Sequence, residues 1–261
     1  MAGTAELLRR HRALTIAGLV VLALLAWLWI ITGAGMGMAA RAEFLAFPHS
    51  SAAMTMPMAW DPPRIAISLA MWWVMMIAMM IPAAAPVVLL YLRAAPSQGI
   101  GTSWPGPFVM GYLLCWLAFS GVAVTLQWLF EHAGLFDAMT MLTTSRWLAG
   151  SVLVAAGVYQ LSPAKSACLS HCRNPADFLA RRFRPGPSGA LRMGIAHGAY
   201  CVGCCWLLMT LLFVVGIMNL AWIAVLTILV AAEKLLPGGR RLAQVGGGFF
   251  VLWGLAILIA G

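Results

Sequence analysis

Three cysteines lie close together in a long apolar segment of the chain. Cys201, Cys204 and Cys205 follow His197 in the run HGAYCVGCCW. If this segment is a helix, a rotation of 100° per residue places the four side chains within an arc of about 100° on one face. Three thiols and an imidazole suit a soft ion, Cu(I) first and Zn(II) second. The spacing therefore predicts a metal site, and simple packing of small buried cysteines is the competing interpretation.

A second group of soft ligands stands about 30 residues earlier. Cys168, His171 and Cys172 have the spacing i, i+3, i+4, which gives them one face of a helix. The charge of Arg173, beside these thiols, is expected to favour the thiolate form. The pattern predicts a second metal or redox site, with an ordinary loop as the alternative.

Thioethers form a further stripe in another apolar segment. Met71, Met75 and Met79 fall within an arc of about 80° of a helix, and Pro82 permits a kink on the same face. Estimated depths in the bilayer place these methionines opposite the cysteines, with Cys115 in a third segment nearby. If the segments are adjacent, the sulfur atoms line one path. Otherwise the methionines are flexible apolar filler.

The composition identifies the kind of protein that must position these groups. The chain has 261 residues, of which 63% are hydrophobic and only 9% charged, whereas a soluble domain has about 25% charged residues. The net charge of +9 is explained by topology signals and contacts with anionic lipid. We therefore predict a lipid-embedded protein that does not bind nucleic acid.

Seven segments are apolar and long enough to cross a bilayer, which requires about 20 residues. A membrane-spanning segment must satisfy its own backbone amides, so these segments are expected to be helices. The predicted fold is all-α, a polytopic transmembrane helical bundle with about seven spans. The spans are expected at residues 14–32, 65–92, 108–130, 147–162, 191–216, 218–235 and 242–260.

The basic residues set the orientation of this bundle. With the N-terminus inside and the C-terminus outside, 13 of the 16 Lys and Arg residues lie in the cytoplasm. This bias predicts a multi-pass protein of the bacterial inner (cytoplasmic) membrane. None of the six cysteines falls in an outer connection, so structural disulfides are not expected.

Two connections between the predicted spans are long. The outer one, 33–64, contains methionines suited to collecting Cu(I), or it lies on the membrane as an apolar loop. Its candidate ligands are Met36, Met38, His49, Met54, Met56 and Met58. The inner one, 163–190, is basic and is expected to form two short interfacial helices that start at Pro163 and Pro175.

Polar residues in the later spans have simpler interpretations. Glu233 and Lys234 are expected to end the sixth span as an ion pair or a lipid contact. The triple glycine 246–248 in the last span is expected to allow close helix packing.

Together these motifs resemble a bacterial family described as predicted metal-binding integral membrane proteins of unknown function. The resemblance covers about residues 65–255. It is carried by MWWVMMIAMMIPAAAP at 71–86, YQLSPAKSACLSHCRNP at 159–175, HGAYCVGCCWLLM at 197–209 and the pair 233–234. It implies a membrane protein that binds metal. Similar proteins are often encoded beside a small soluble protein, which implies such a partner.

The leading hypothesis is a membrane protein that binds a soft metal ion, most simply Cu(I), for transport or delivery across the inner membrane. A structural or assembly subunit with a structural metal site is the first alternative. A membrane thiol oxidoreductase that uses Cys201 and Cys204 with a quinone is the second. The sequence contains no phosphate-binding loop, which argues against a self-contained ATP-driven pump. An enzymatic role is the weaker hypothesis, and homo-oligomerisation stays open.

Overall fold

The computed structural model describes residues 2–35, 59–97, 105–138 and 141–260. Nearly all of these residues are helical, which confirms the predicted all-α class. A two-residue antiparallel pair of strands, β1 (Phe136–Asp137) and β2 (Leu142–Thr143), is a small exception. The helices are α1 (Ala2–Ile31), α2 (Pro62–Ser97), α3 (Gly106–His132), α4 (Arg146–Leu161), α5 (Pro163–Arg173), α6 (Pro175–Arg182), α7 (Gly186–Thr210), α8 (Leu212–Val215), α9 (Leu220–Leu235) and α10 (Gly239–Ala260).

Five helical stretches among these residues are long and apolar enough to cross a membrane. They are Arg9–Ile31, Pro62–Ala94, Gly106–His132, Gly186–Val215 and Gly239–Ile259. This finding supports a membrane protein. The predicted fourth and sixth spans correspond to α4 and α9, which have 16 residues each. A helix of that length is about 24 Å long, against a hydrocarbon core of about 30 Å. Five helices thus reach membrane length, against about seven expected.

Glycines allow α3 and α7 to pack with their backbones almost touching. A Cβ atom on Gly194 would lie 2.0 Å from the carbonyl oxygen of Phe108, and one on Gly111 would lie 2.3 Å from that of Leu191. Helices in lipid associate through such close contacts because apolar side chains gain little from leaving lipid for a protein interface. The seam fixes the rotation of α7, and therefore the direction of its cysteines.

A second glycine seam joins α4 to α10. Gly157 faces Gly247, and Gly150 faces Gly254 about two turns further along the pair. A Cβ on any of the four would lie within 3.0 Å of an atom across the seam. Close packing at the triple glycine was expected, and Gly247 is the member that provides it. The seam fixes α4, whose last turn leads into α5.

Helix α2 packs on α1, α3 and α9. A chain of polar side chains aligns it with α3. The indole of Trp72 donates to Gln127 at 3.0 Å, Gln127 donates to Glu131 at 3.2 Å, and Arg64 forms a 2.7 Å ion pair with Glu131. Trp72 and Gln127 are fully buried, so each needs the other as a hydrogen-bond partner.

The connection between α4 and α7 folds into α5 and α6, which begin at Pro163 and Pro175. Ser162 caps α5 by accepting a hydrogen bond from the backbone of Lys165 at 3.2 Å. Asn174 forms no such side-chain cap on α6 and instead donates to Ser170. The methionines and the histidine of the predicted outer loop lie outside the described residues.

The α3–α7 seam can be tested with a single methyl group. We expect Gly194→Ala to lower the free energy of unfolding by about 1–3 kcal/mol, the usual cost of overpacking. The reason is that the new Cβ meets backbone atoms that cannot move aside. Gly121→Ala in α3 is the matched control, since a Cβ there meets nothing within 4 Å. Unfolding in detergent measures both variants. Equal stability for the two would contradict the seam.

Candidate metal centre

Four cysteines from two helices come together inside the bundle. Helix α7 supplies Cys201, Cys204 and Cys205, each about 1% exposed. Helix α5 packs along α7 and brings the sulfur of Cys172 to 4.0 Å from that of Cys204. The thiols of Cys204 and Cys205 donate to the carbonyl oxygen of Cys201 at 3.1 and 2.9 Å. All six cysteines of the chain are free thiols.

Helices α2 and α3 close this cluster with a thioether and a phenol. The sulfur of Met80 lies 4.0 Å from that of Cys205. The hydroxyl of Tyr112 lies 3.0 Å from the sulfur of Cys201 and donates to the carbonyl oxygen of Met80 at 3.3 Å. Tyr112 therefore links three helices at the cluster. We call Cys172, Cys201, Cys204, Cys205 and Met80 together the thiol centre.

Helix α9 adds a positive charge to the thiol centre. The ammonium of Lys234 donates to the sulfur of Cys201 at 2.9 Å and lies 3.9 Å from that of Cys205. Lys234 is only 6% exposed, so its charge needs a nearby anion or strong acceptors. The expected role for Lys234, an ion pair with Glu233 or a lipid contact, was wrong, because consecutive residues of a helix point about 100° apart.

Glu233, the neighbour of Lys234, has different partners. Its carboxylate accepts from Lys165 at 2.6 Å and from Gln160 at 2.7 Å. Lys165 and Glu233 are 1% and 3% exposed, so this is a fully buried ion pair. The ion pair joins α5 to α9, and the hydrogen bond from Gln160 joins the end of α4 to α9. Together these contacts position α5, the helix that carries Cys172.

Arg173 lies beside the cysteines of α5 in sequence but not in space. Its guanidinium donates to the carbonyl oxygens of Glu233 and Pro237 at 2.8 and 2.9 Å. Burial raises the pKa of the Cys168 thiol. Hydrogen bonds with the thiols of Cys201 and Cys204 raise the pKa of Cys172 well above its ordinary value. The expected stabilisation of thiolates by Arg173 was therefore wrong.

The two histidines predicted as ligands make aromatic contacts. His197 is 3% exposed and lies among Phe108, Tyr112 and Phe178, with ring centroids 5.3–6.1 Å away. Among the described residues its Nδ1 has no hydrogen-bond partner. His171 stacks on Tyr200 at 4.1 Å, and its Nδ1 lies 2.9 Å from the carbonyl oxygen of Ala167.

The remaining predicted sulfur ligands lie around the thiol centre. Met71, Met75 and Met79 are at most 1% exposed in the core of the bundle, while the thioether that approaches Cys205 is that of Met80, one position further on. Cys168 lies against Gly203, where an added Cβ would be 3.0 Å from its sulfur.

Cys115 of α3 bonds to the backbone of α7. Its thiol donates to the carbonyl oxygen of Ile195 at 3.2 Å. It lines an apolar groove of about 520 Å³ between α3 and α7, together with residues such as Val122 and Trp206.

The spacing of the thiol centre can be compared with metal coordination. With metal–sulfur bonds of about 2.3 Å, two sulfurs on one ion lie about 3.8 Å apart in tetrahedral and about 4.0 Å in trigonal geometry. Two of the sulfur pairs in the thiol centre, Cys172–Cys204 and Cys205–Met80, are each 4.0 Å apart. Within the four described ranges, however, no group of three His, Cys, Asp or Glu side chains forms a ready-made metal site. The donor types suit a soft ion, and side-chain rotations are needed to gather them around it.

Comparison with known proteins supplies the family. A family model described as PpoB2, a copper chaperone, matches residues 69–257, which is well over half of the chain. The chain belongs to the PpoB2 family. The role of this protein is therefore related to copper. No curated protein and no solved structure matches the chain.

Sequence reasoning missed several residues of this PpoB2 chain that contact the thiols: Tyr112, Met80 and Lys234. Lys234 could have been identified from the sequence, because a charged residue inside an apolar membrane helix is usually functional. Met80 was one of several methionines, and the sequence carried no signal that separated it from Met79. Tyr112 resembled any aromatic residue of a membrane helix.

The buried ion pair of α5 and α9 can be tested by a double-mutant cycle. We expect Lys165→Met to lower the free energy of unfolding by about 3–5 kcal/mol, because it leaves the Glu233 carboxylate buried without its cation. Adding Glu233→Gln should restore part of that loss, which unfolding in detergent would measure. Arg181→Gln is the control, since its ion pair with Asp177 is exposed, and it should leave the unfolding midpoint unchanged. Strictly additive effects would contradict a direct pair.

Proposed function

We propose that this protein binds Cu(I) at the thiol centre, inside a bundle of about seven spans, and delivers it to a partner protein at the bacterial inner membrane. The observation that carries the proposal is the meeting of thiols from α5 and α7 with a thioether from α2. Thiolates and thioethers select Cu(I) over hard ions. The copper-related family supports the same assignment.

The charge of Lys234 fits a monovalent cargo. Cu(I) held by two thiolates is a complex of charge −1, which is costly in an apolar interior. The ammonium of Lys234, 2.9 Å from Cys201, brings the total to zero. Before copper binds, one thiolate and the ammonium also sum to zero. The centre therefore stays neutral in both states, and the second thiol releases a proton when the ion binds.

Residues on either side of the thiol centre provide a path for the ion. The stripe of Met71, Met75 and Met79 on α2 consists of thioethers that can hold Cu(I) weakly and pass it on. On the other side, Cys168 and His171 of α5 form the site at the cytoplasmic surface. This arrangement takes α4 and α9 as the two short spans and the N-terminus as cytoplasmic, as the basic residues predict.

A structural metal site is the second candidate. The burial of Cys201, Cys204 and Cys205 favours an ion that stays bound, because water and ligands reach such a site slowly. The rate of copper exchange distinguishes the two functions. A delivery protein gives its copper to an acceptor within minutes. A structural site retains its metal, and removal of that metal by a chelator lowers the stability of the protein.

Copper binding by cysteine variants tests the proposal. We expect purified wild-type protein to retain Cu(I), and the Cys201→Ser/Cys204→Ser variant to retain at most about a tenth as much, since a hydroxyl is a poor ligand for a soft ion. Elemental analysis of the detergent-purified proteins measures copper per chain. Cys115→Ser is the matched control, because that thiol bonds to Ile195, and it should bind as wild type does. Negligible copper in wild type would refute the proposal.

Lys234 of α9 provides a separate test of charge compensation at the thiol centre. We expect Lys234→Met to weaken Cu(I) binding about tenfold or more, which corresponds to at least ~1.4 kcal/mol, because the complex then carries an uncompensated charge. Lys234→Arg retains the charge and should recover most of the affinity. Competition with a chromophoric Cu(I) chelator measures both variants. Equal affinities for Lys234→Met and wild type would show that the ammonium does not compensate the bound complex.

A further inference from the structure

An open pocket lies between α6 and the first turns of α7, with His171 of α5 in its wall. Its volume is about 690 Å³, within the range of about 300–1,000 Å³ for small-molecule sites. Its lining contains four arginines, a histidine and a carboxylate: Arg181, Arg182, Arg184, Arg192, His171 and Asp177. We call this cavity the arginine pocket.

The arginine pocket carries an excess of positive charge. Its four arginines face one carboxylate, that of Asp177, which forms a 2.8 Å ion pair with Arg181. Arg184 and Arg192 are exposed. The remaining charge of +3 suits an anionic ligand, and guanidinium groups bind carboxylates and phosphates through paired hydrogen bonds.

The wall of the pocket contains residues that neighbour two cysteines of the thiol centre in the sequence. His171 lines the pocket and stacks on Tyr200, with ring centroids 4.1 Å apart. Arg182, also in the lining, donates to the hydroxyl of Tyr200 at 2.9 Å. The residues that follow these two rings in the chain are Cys172 and Cys201. A ligand bound by the arginines is therefore held next to the helix segments that carry the thiols.

We propose that the arginine pocket binds the carboxylates of a small anionic thiol, of the class of glutathione, that exchanges Cu(I) with Cys172. This proposal rests on the function proposed for the thiol centre. In the exchange, a copper–sulfur bond to the carrier breaks as one to Cys172 forms, and the proton of the Cys172 thiol moves to the released carrier thiolate. Copper remains Cu(I), so no oxidant or reductant is required.

The experiment compares two carriers of Cu(I) that differ in charge. Protein in neutral detergent receives Cu(I) from glutathione, which has carboxylates, or from 2-mercaptoethanol, which has none. For Arg184→Gln/Arg192→Gln we expect the initial rate of transfer from Cu(I)–glutathione to fall about tenfold at low salt, in the range of electrostatic steering. The rate from Cu(I)–mercaptoethanol should stay within about twofold, which also shows that the variant is folded.

The matched control is Arg240→Gln/Arg241→Gln. These two exposed arginines at the start of α10 change the net charge equally but lie outside the arginine pocket, so transfer from both carriers should be unchanged. Binding of S-methylglutathione, measured by calorimetry without copper, provides a second arm. It should be detectable with wild type and lost in the pocket variant.

Several results would overturn the proposal. Equal slowing with both carriers, or none with either, would show that the arginines do not recognise carboxylates of the carrier. If phosphatidylglycerol vesicles or inorganic phosphate bind through Arg184 and Arg192 while S-methylglutathione does not, the pocket is a phosphate or lipid headgroup site instead. If wild type takes no Cu(I) even from mercaptoethanol, the function proposed for the thiol centre fails, and copper exchange at the pocket fails with it.

Discussion

The contact between the ammonium of Lys234 and the thiol of Cys201, 2.9 Å long, is the interaction on which the centre of this protein depends. A lysine buried among apolar helices is expensive unless it has a counter-charge or strong acceptors. The adjacent Glu233 has the same requirement and meets it with Lys165. Two consecutive residues of α9 thus fix two different neighbours: α7 through a thiol, and α5 through an ion pair.

The glycine seams make these polar contacts possible. Close approach of α3 and α7 at Gly111 and Gly194 brings Tyr112 within hydrogen-bond distance of Cys201. Close packing of α4 and α10 at Gly157 and Gly247 fixes the last turn of α4, from which Gln160 reaches Glu233. Backbone packing and buried polar contacts thus act on the same helices that carry or support the thiols.

For the proposed delivery of copper, the thiol centre would have to bind the ion and also release it. The thiols are buried beside the ammonium of Lys234, yet no group of three His, Cys, Asp or Glu side chains is preset around an ion among the described residues. Exchange of ligands between neighbouring sulfurs can then occur through side-chain rotation. In the proposed exchange, the arginine pocket would give an anionic carrier a polar approach to this centre.

The sequence by itself determined the helical membrane fold and the stripe of thiols on α7, because both follow from local properties. An apolar segment must satisfy its backbone amides as a helix, and residues three and four apart must share a face. The copper-related role also follows from the sequence, since the family model is matched by residues 69–257.

Only the tertiary structure decided which other groups meet those thiols. One position along a helix rotates a side chain by about 100°, so the choice of Met80 at Cys205 depended on how α2 is rotated against its neighbours. The selection of Cys172 and Lys234 depended likewise on α5 packing along α7 and on α9 presenting its last turn to the centre. Such rotations and adjacencies arise from glycine seams and buried ion pairs between distant segments, and no local pattern encodes them.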